Sequence, residues 1–244
     1  MGEHGKWAIA DRADRILHWL GGHTGMTLLV LALIAGIVWG FVELADDVME
    51  GETKALDRAL LLALRNPLDS ADPLGPHWVE ELGRDLTALG GVGILTLFTF
   101  SILGFLLLRR QFHASVYLVL SVGGGILVSS LLKMLFSRPR PDLVAHGSYV
   151  YTTSFPSGHS MMATATFFTL AALLASLESS LRVRAYLLGM ATVFSLLVGL
   201  SRIYLGVHWP TDVLAGWAAG IAWALLCWLI AQQLQRRRFI EGPE

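Results

Sequence analysis

The sequence predicts an all-α integral membrane protein: a bundle of six transmembrane helices with an N-terminal interfacial helix and a helical outer loop. Three observations carry this expectation. Apolar types make up 54% of the 244 residues and charged types 15%, against about 25% in soluble domains. Mean hydropathy is +0.58. Six uncharged runs approach the ~20 helical residues that cross about 30 Å of hydrocarbon. Lipid offers backbone amides no partner, so spans of this kind fold as helices. A disordered chain, a fibre and an ordinary soluble enzyme are excluded.

The expected spans are Thr24 to Val42, Leu86 to Leu108, Ala114 to Leu132, Ser160 to Leu177, Ala185 to Ser201 and Val213 to Leu234. A mixed-charge stretch with Lys6, Asp11, Arg12, Asp14 and Arg15 precedes the first run, so that run is not a cleavable signal. Trp7, Ile16, Leu17, Trp19 and Leu20 give this stretch an apolar face for the membrane surface. The longest connection, Glu43 to Asp85, opens acidic, continues through a helical stretch around Leu56 to Leu64, and is broken by Pro67, Pro73 and Pro76. Its simplest reading is a solvated rim with a surface-lying helix. No repeat or linker divides the chain, so residues 1–244 form one domain with a core at 114–234.

Orientation is read from Lys and Arg near the span ends. Ten lie on the side of the termini, among them Arg109, Arg110, Arg182, Arg184 and Arg236 to Arg238, and eight on the other. Four of those eight, Lys133, Arg138, Arg140 and Arg202, sit in clusters with a chemical role of their own. The termini are therefore expected in the cytoplasm, with the clusters at the outer face of the membrane.

Three clusters break the rules of a membrane sequence. In Lys133-Met-Leu-Phe-Ser-Arg138-Pro-Arg140-Pro141 a cation ends an apolar span, and two prolines stiffen the segment beyond it. In Phe155-Pro156-Ser157-Gly158-His159, Ser157 can cap the next helix, Gly158 permits close approach, and free amides at a helix start favour an anion. In Ser201-Arg202 through His208 to Asp212, a carboxylate stands four residues after a histidine at a helix start. Asp212 can hold the Nδ1 proton of His208 and leave Nε2 as a nucleophile. Topology gathers all three clusters at the outer ends of the spans. Three cations beside low-dielectric lipid require an anion, and a phosphate dianion fits them. No metal is expected: Asp212 is committed to His208, and clustered cations repel a divalent ion.

The spacing Lys133-x6-Arg140-Pro141, the block Pro156-Ser157-Gly158-His159, and Ser201-Arg202 with His208 and Asp212 resemble the three-part signature of the type 2 phosphatidic acid phosphatase superfamily. The signature covers Lys133 to Asp212 and is complete and in order. The resemblance implies metal-independent hydrolysis of a phosphorylated or pyrophosphorylated lipid through a phosphohistidine, at a site open to the outer leaflet. It implies His208 as nucleophile, Asp212 as its orienting partner and His159 as acid for the leaving group. Lys133, Arg140, Ser157, Gly158 and Arg202 would hold the phosphoryl oxygens, and no cofactor is implied. Undecaprenyl pyrophosphate, phosphatidylglycerophosphate and phosphatidic acid are the expected substrates. Some relatives transfer the phosphoryl group to another lipid, which the sequence leaves open. An anion transporter is the rival of another class, but it has no need of the His208–Asp212 pair.

Other features are read as structural. Gly36/Gly40, Gly216/Gly220 and Gly123 to Gly125 have the spacing of helix contacts. Trp217, Trp223 and Trp228 are read as lipid-facing or core. Arg138 falls outside the signature and is kept as a substrate contact. Arg84 and Asp85 are candidates to brace the site, and His146 to touch substrate.

Overall fold

A computed structural model describes residues 23–142 and 153–240. The N-terminal interfacial helix and His146 lie outside the described residues. Among the described residues eight helices succeed one another: α1 His23–Glu50, α2 Lys54–Leu62, α3 His77–Ala88, α4 Val92–Leu108, α5 Phe112–Leu135, α6 Gly158–Ser176, α7 Leu181–Tyr204 and α8 Pro210–Ile240. Between α2 and α3, β1 (Arg65–Asn66) pairs antiparallel with β2 (Asp69–Pro73). This short hairpin departs from the all-helical expectation. Asn66 and Asp69 turn the chain there by accepting the amides of Leu68 (3.1 Å) and Ala71 (2.9 Å) on their side chains.

Among the described residues five helices are long and apolar enough to cross a membrane: α1, α5, α6, α7 and α8. The pair α3 and α4 passes the same test only when joined, with a bend of 48° between them. The second span was expected to open at Leu86, but the regular helix inside the apolar run starts at Val92. The break falls at Gly90-Gly91. A Cβ on Gly90 would stand 2.5 Å from Cγ1 of Val198 and 3.0 Å from the carbonyl oxygen of His159. The chain bends there because only glycine lets it pass so close to α6 and α7.

The first span also runs on past its expected end. Helix α1 has 28 residues, about 42 Å at 1.5 Å each, and its acidic last turns extend beyond the apolar run. Gly51, at φ 87°, closes it.

Helix α6 is the centre of the bundle. Met161, Ala163, Ala165 and Thr169 on it are buried, and it packs on α5, α7 and α8. Small residues bring α8 against it. A Cβ on Gly216 would meet the carbonyl oxygen of Ser157 at 2.6 Å, and one on Gly220 that of Met161 at 2.7 Å. The Gly216/Gly220 pair is thus a helix contact, as its spacing predicts. Gly36, Gly40 and Gly123 are not: nothing lies within 4 Å of a Cβ built on them. Two tryptophans also lie over glycines, Trp217 over Gly199 and Trp223 over Gly124. Their indoles donate to the carbonyl oxygens of Ser195 (2.9 Å) and Ser121 (2.7 Å). Elsewhere leucine, valine and phenylalanine side chains cover the outside, as lipid-facing surfaces require; Leu97, Phe100 and Leu120 are examples.

Candidate active site

All three sequence clusters meet at one end of the bundle, where α5 and α7 end and α6 and α8 begin. Phe155, fully buried, anchors the approach to α6 between Phe41 and Phe136, with ring centroids at 5.9 and 5.1 Å. The Ser157 side chain then caps α6, accepting from the amide of Ser160 (3.4 Å) and its hydroxyl (2.9 Å). The Ser157 amide donates to the backbone oxygen of Asp212 (2.9 Å), joining the starts of α6 and α8.

Lys133, in the last turn of α5, crosses to this junction. Its Nζ donates to the carbonyl oxygen of Thr153 (3.0 Å), and Thr153 Oγ1 donates back to that of Lys133 (3.1 Å). A Cβ on Gly158 would come within 3.2 Å of Lys133 Cε, so the glycine makes room for the lysine. After α7, Gly206 at φ 72° reverses the chain, and Val207 donates to the carbonyl oxygen of Arg202 (3.2 Å). That reversal brings His208 back over the bundle end.

His208 is 1% exposed. Its Nδ1 lies 3.2 Å from Asp212 Oδ2, and its Nε2 lies 3.1 Å from Arg140 Nη1. A guanidinium only donates, so Nε2 accepts there and Nδ1 carries the proton to Asp212. Asp212 is fully buried. Its Oδ2 also accepts the Trp209 amide (2.9 Å) and the Ser154 hydroxyl; its Oδ1 accepts Arg138 Nη1 (2.5 Å). Burial pushes the His208 imidazole down to about 4 against the pull of Asp212, with Arg202 and Arg140 adding to the fall. At neutral pH the ring is uncharged and its Nε2 lone pair is available.

Arg140 also donates to the carbonyl oxygen of Val207 (3.0 Å). Arg202 Nη1 donates to Thr87 Oγ1 (2.9 Å), while its Nε is buried with no partner among the described residues. His159, in the first turn of α6, lies in the electrostatic reach of Arg202, His208, Arg140 and Lys133. The eight residues singled out from the sequence, Lys133, Arg140, Ser157, Gly158, His159, Arg202, His208 and Asp212, therefore converge.

The chain carries the PAP2 superfamily model over residues 114–236. It belongs to the PAP2 superfamily. Phosphatidylglycerophosphatase B of Bacillus subtilis is 32% identical over 200 residues, covering 80% of this chain and 87% of that one. A lipid A 1-phosphatase of Rhizobium etli is 31% identical over 175 residues, 62% of this chain and 71% of its own. An undecaprenyl-diphosphatase of Sulfolobus acidocaldarius is 32% identical over 120 residues, 47% and 54% of the two chains. A crystal structure of a transmembrane PAP2-type phosphatidylglycerolphosphate phosphatase from Bacillus subtilis superposes with a TM-score of 0.73. It is 28% identical and covers 84% of this chain and 98% of its own. This PAP2 protein is a membrane phosphatase.

Some expectations for this PAP2 chain need correction. Arg138, read as a substrate contact, is 8% exposed and committed on both sides: Nη2 to Asp57 (2.5 Å), Nη1 to Asp212 and Thr211 Oγ1 (2.8 Å). The outer connection is more than a solvated rim, because α2 inserts Asp57, fully buried, beside α8. Arg84 pairs with Glu80 (2.6 Å) on the exposed face of α3, and Asp85 is exposed. Neither braces the site; Thr87, two residues on, does. Asp57, Thr87, Thr153, Ser154 and Thr211 escaped sequence reasoning, since a lone hydroxyl or a loop carboxylate carries no spacing signal.

Proposed function

We propose that this PAP2 protein is a metal-independent phosphatase acting on a phosphorylated or pyrophosphorylated lipid at the outer face of the bacterial inner membrane. The observation that carries the reading is the orientation of His208. Its Nδ1 side is tied to a buried carboxylate, and its Nε2 lone pair is turned toward Arg140. Nucleophilic histidine chemistry requires that tautomer.

In the first step Nε2 of His208 attacks phosphorus and the bond to the lipid-side oxygen breaks. His159 supplies the proton that oxygen takes. In the second step water attacks the phosphohistidine, His159 accepts its proton, and free phosphate leaves with His208 restored. Lys133, Arg140, Arg202, Ser157 and the Gly158 backbone hold the phosphoryl oxygens. Stabilising their charge is the main demand of phosphoryl transfer. The Nε of Arg202, without a partner among the described residues, supports this, because a buried guanidinium donor suits an anionic oxygen.

A groove of about 700 Å³ between α1, α6, α7 and α8 supports a lipid substrate. Phe41, Leu44, Phe168, Leu214 and Trp217 line it and suit an acyl or prenyl chain. The names of the relatives point to the same class: a phosphatidylglycerophosphatase, an undecaprenyl-diphosphatase and a lipid A phosphatase. Undecaprenyl pyrophosphate, phosphatidylglycerophosphate and phosphatidic acid are the proposed substrates. Counting α3 and α4 as one bent span gives six crossings, with both termini on one side and the site on the other; the basic residues near the span ends favour the cytoplasm for the termini and the periplasmic side for the site.

The test is phosphate release by purified protein from micelles of each of these three lipids, with and without EDTA. Wild type is expected to release free phosphate equally in both conditions, and His208→Ala to release none. Activity lost to EDTA and restored by magnesium refutes metal independence. Turnover by His208→Ala refutes the nucleophile.

A further inference from the structure

We propose that Asp57, on the outer helix α2, is a positioning residue for the nucleophile: it holds Arg138 and the start of α8 so that Asp212 stays fixed against His208, and it offsets the charge of Arg138 behind that carboxylate. This rests on the reading of His208 as nucleophile.

The geometry is a chain of four charged or polar groups. Asp57 Oδ2 accepts Arg138 Nη2 (2.5 Å), Arg138 Nη1 donates to Asp212 Oδ1 (2.5 Å), and Asp212 Oδ2 faces His208 Nδ1 (3.2 Å). Every member is buried. Asp57 also takes the Thr211 amide on Oδ1 (3.0 Å) and the Thr211 hydroxyl on Oδ2 (2.7 Å), so it fixes the start of α8, the helix that carries Asp212. Trp209 lies against the guanidinium, whose Cζ is 5.7 Å from the ring centre.

Charge balance gives the reason for the second carboxylate. Attack through Nε2 turns the neutral ring of His208 into a cationic phosphoimidazolium with its proton on Nδ1. The other groups acting on that ring, Arg140 and Arg202, are cations, and Lys133 stands in the same cluster. Asp212 is the carboxylate in contact with the ring. Arg138 by itself would cancel its charge. Asp57 offsets Arg138, and the trio Asp57–Arg138–Asp212 keeps a net charge of −1 facing His208. A buried carboxylate–guanidinium–carboxylate group is an inefficient way to gain stability, since apolar residues of like volume do as well or better. Its retention at the back of a nucleophile is explained by chemistry.

The test measures kcat and KM for phosphate release from phosphatidic acid and undecaprenyl pyrophosphate micelles, using the full chain. The variants are Asp57→Asn, Asp212→Asn, the double variant, and Asp57→Glu. Asp57→Asn is expected to lower kcat about 10–100-fold, by analogy with the loss when an outer partner of a metal-ligating histidine is removed, with KM nearly unchanged. In the Asp212→Asn background the same substitution should cost less than about threefold, because groups acting through one another are not additive. Asp57→Glu, which keeps the charge, should recover part of the loss. Equal losses in both backgrounds would make Asp57 a loop anchor only and overturn the proposal; so would an unchanged kcat. Should Asp57→Asn fail to fold, Arg138→Lys carries the test. Lysine lacks the planar fork whose two arms reach Asp57 and Asp212 separately, so kcat must fall with KM kept, and a wild-type kcat overturns the proposal. If the wild type releases no phosphate from these two lipids or from phosphatidylglycerophosphate, the phosphatase reading falls and takes this proposal with it. If the wild type is active and Asp57→Asn matches it, only this proposal falls.

Discussion

Replacing Asp212 by asparagine tests the centre of the site with almost no change of shape. Oδ1 of Asp212 receives one donor, from Arg138, and Oδ2 receives three, from His208, Trp209 and Ser154. An asparagine has one oxygen and one amide, so its amide must face a donor either way. Turned toward Arg138, it leaves one N–H of the buried Nη1 arm, whose other N–H serves Thr211, without an acceptor, which costs about 1–3 kcal/mol. Turned toward His208, it faces Nδ1 and drives the ring proton to Nε2, where no lone pair remains for phosphorus. In a serine-protease triad the same loss of tautomer control lowers kcat by about 10⁴, or roughly 5.5 kcal/mol. Here Arg140 opposes the wrong tautomer, because a proton on Nε2 would confront its guanidinium 3.1 Å away. The expected loss is therefore about 10³–10⁴-fold, or roughly 4–5.5 kcal/mol. Phosphate release from a lipid monophosphate in detergent gives kcat, and a thermal melt of the same preparation reports the folded fraction. A folded Asp212→Asn variant within tenfold of wild type would refute tautomer control and leave Asp212 as a capping residue only.

His159→Ala should reduce single-turnover phosphorylation far more with a lipid monophosphate than with p-nitrophenyl phosphate. General acid help is worth about 10²–10⁴-fold, and a nitrophenolate leaves without it; equal losses would make His159 a phosphate ligand. Burial sets the folded His208 at about 4 against an ordinary 6.5, so the unfolded chain takes up the proton first as pH falls. The stability contributed by keeping this ring neutral is complete above about pH 6.5 and diminishes toward pH 4, on the order of 2–3 kcal/mol by pH 4.5. Melting curves should show wild type losing more stability than His208→Gln between pH 7.5 and 4.5; parallel losses would contradict the burial effect. Gly216→Ala would place a Cβ 2.6 Å from the Ser157 carbonyl oxygen and should destabilise the fold by about 1–3 kcal/mol, whereas Gly36→Ala, inside α1, meets nothing and should hold or slightly raise the melt.

Much of the site was legible because its residues contradict their surroundings. Lys133 and Arg202 end apolar spans, where a charge is expensive without a purpose, and His208 and Asp212 stand at a helical spacing across a helix start. These are local relations, and a linear sequence displays them. Asp57 was not legible. It sits in an outer connection between Lys54 and Arg58, where a carboxylate reads as solvated, and no spacing links it to Arg138 or Thr211. Arg138 was visible but misread, because its neighbours Pro139 and Arg140 say nothing about which way its side chain turns.

Composition and hydropathy by themselves determined that the chain is helical and made for lipid, because uncharged runs of that length have few other ways to satisfy their backbone. The motif spacings singled out the residues that the fold gathers at one end of the bundle. Only the tertiary structure decided the rest. The α3–α4 bend is set at Gly90 by its approach to Val198 and the His159 carbonyl, and α8 packs on α6 through Gly216 and Gly220 but not through the equally spaced Gly36 and Gly40. The commitment of Arg138 to two carboxylates was likewise invisible beforehand. The reason is the same in each case. Periodicity and charge act between neighbours in sequence and can be read along the chain, whereas close contact and charge pairing between distant segments exist only once the bundle has brought those segments together.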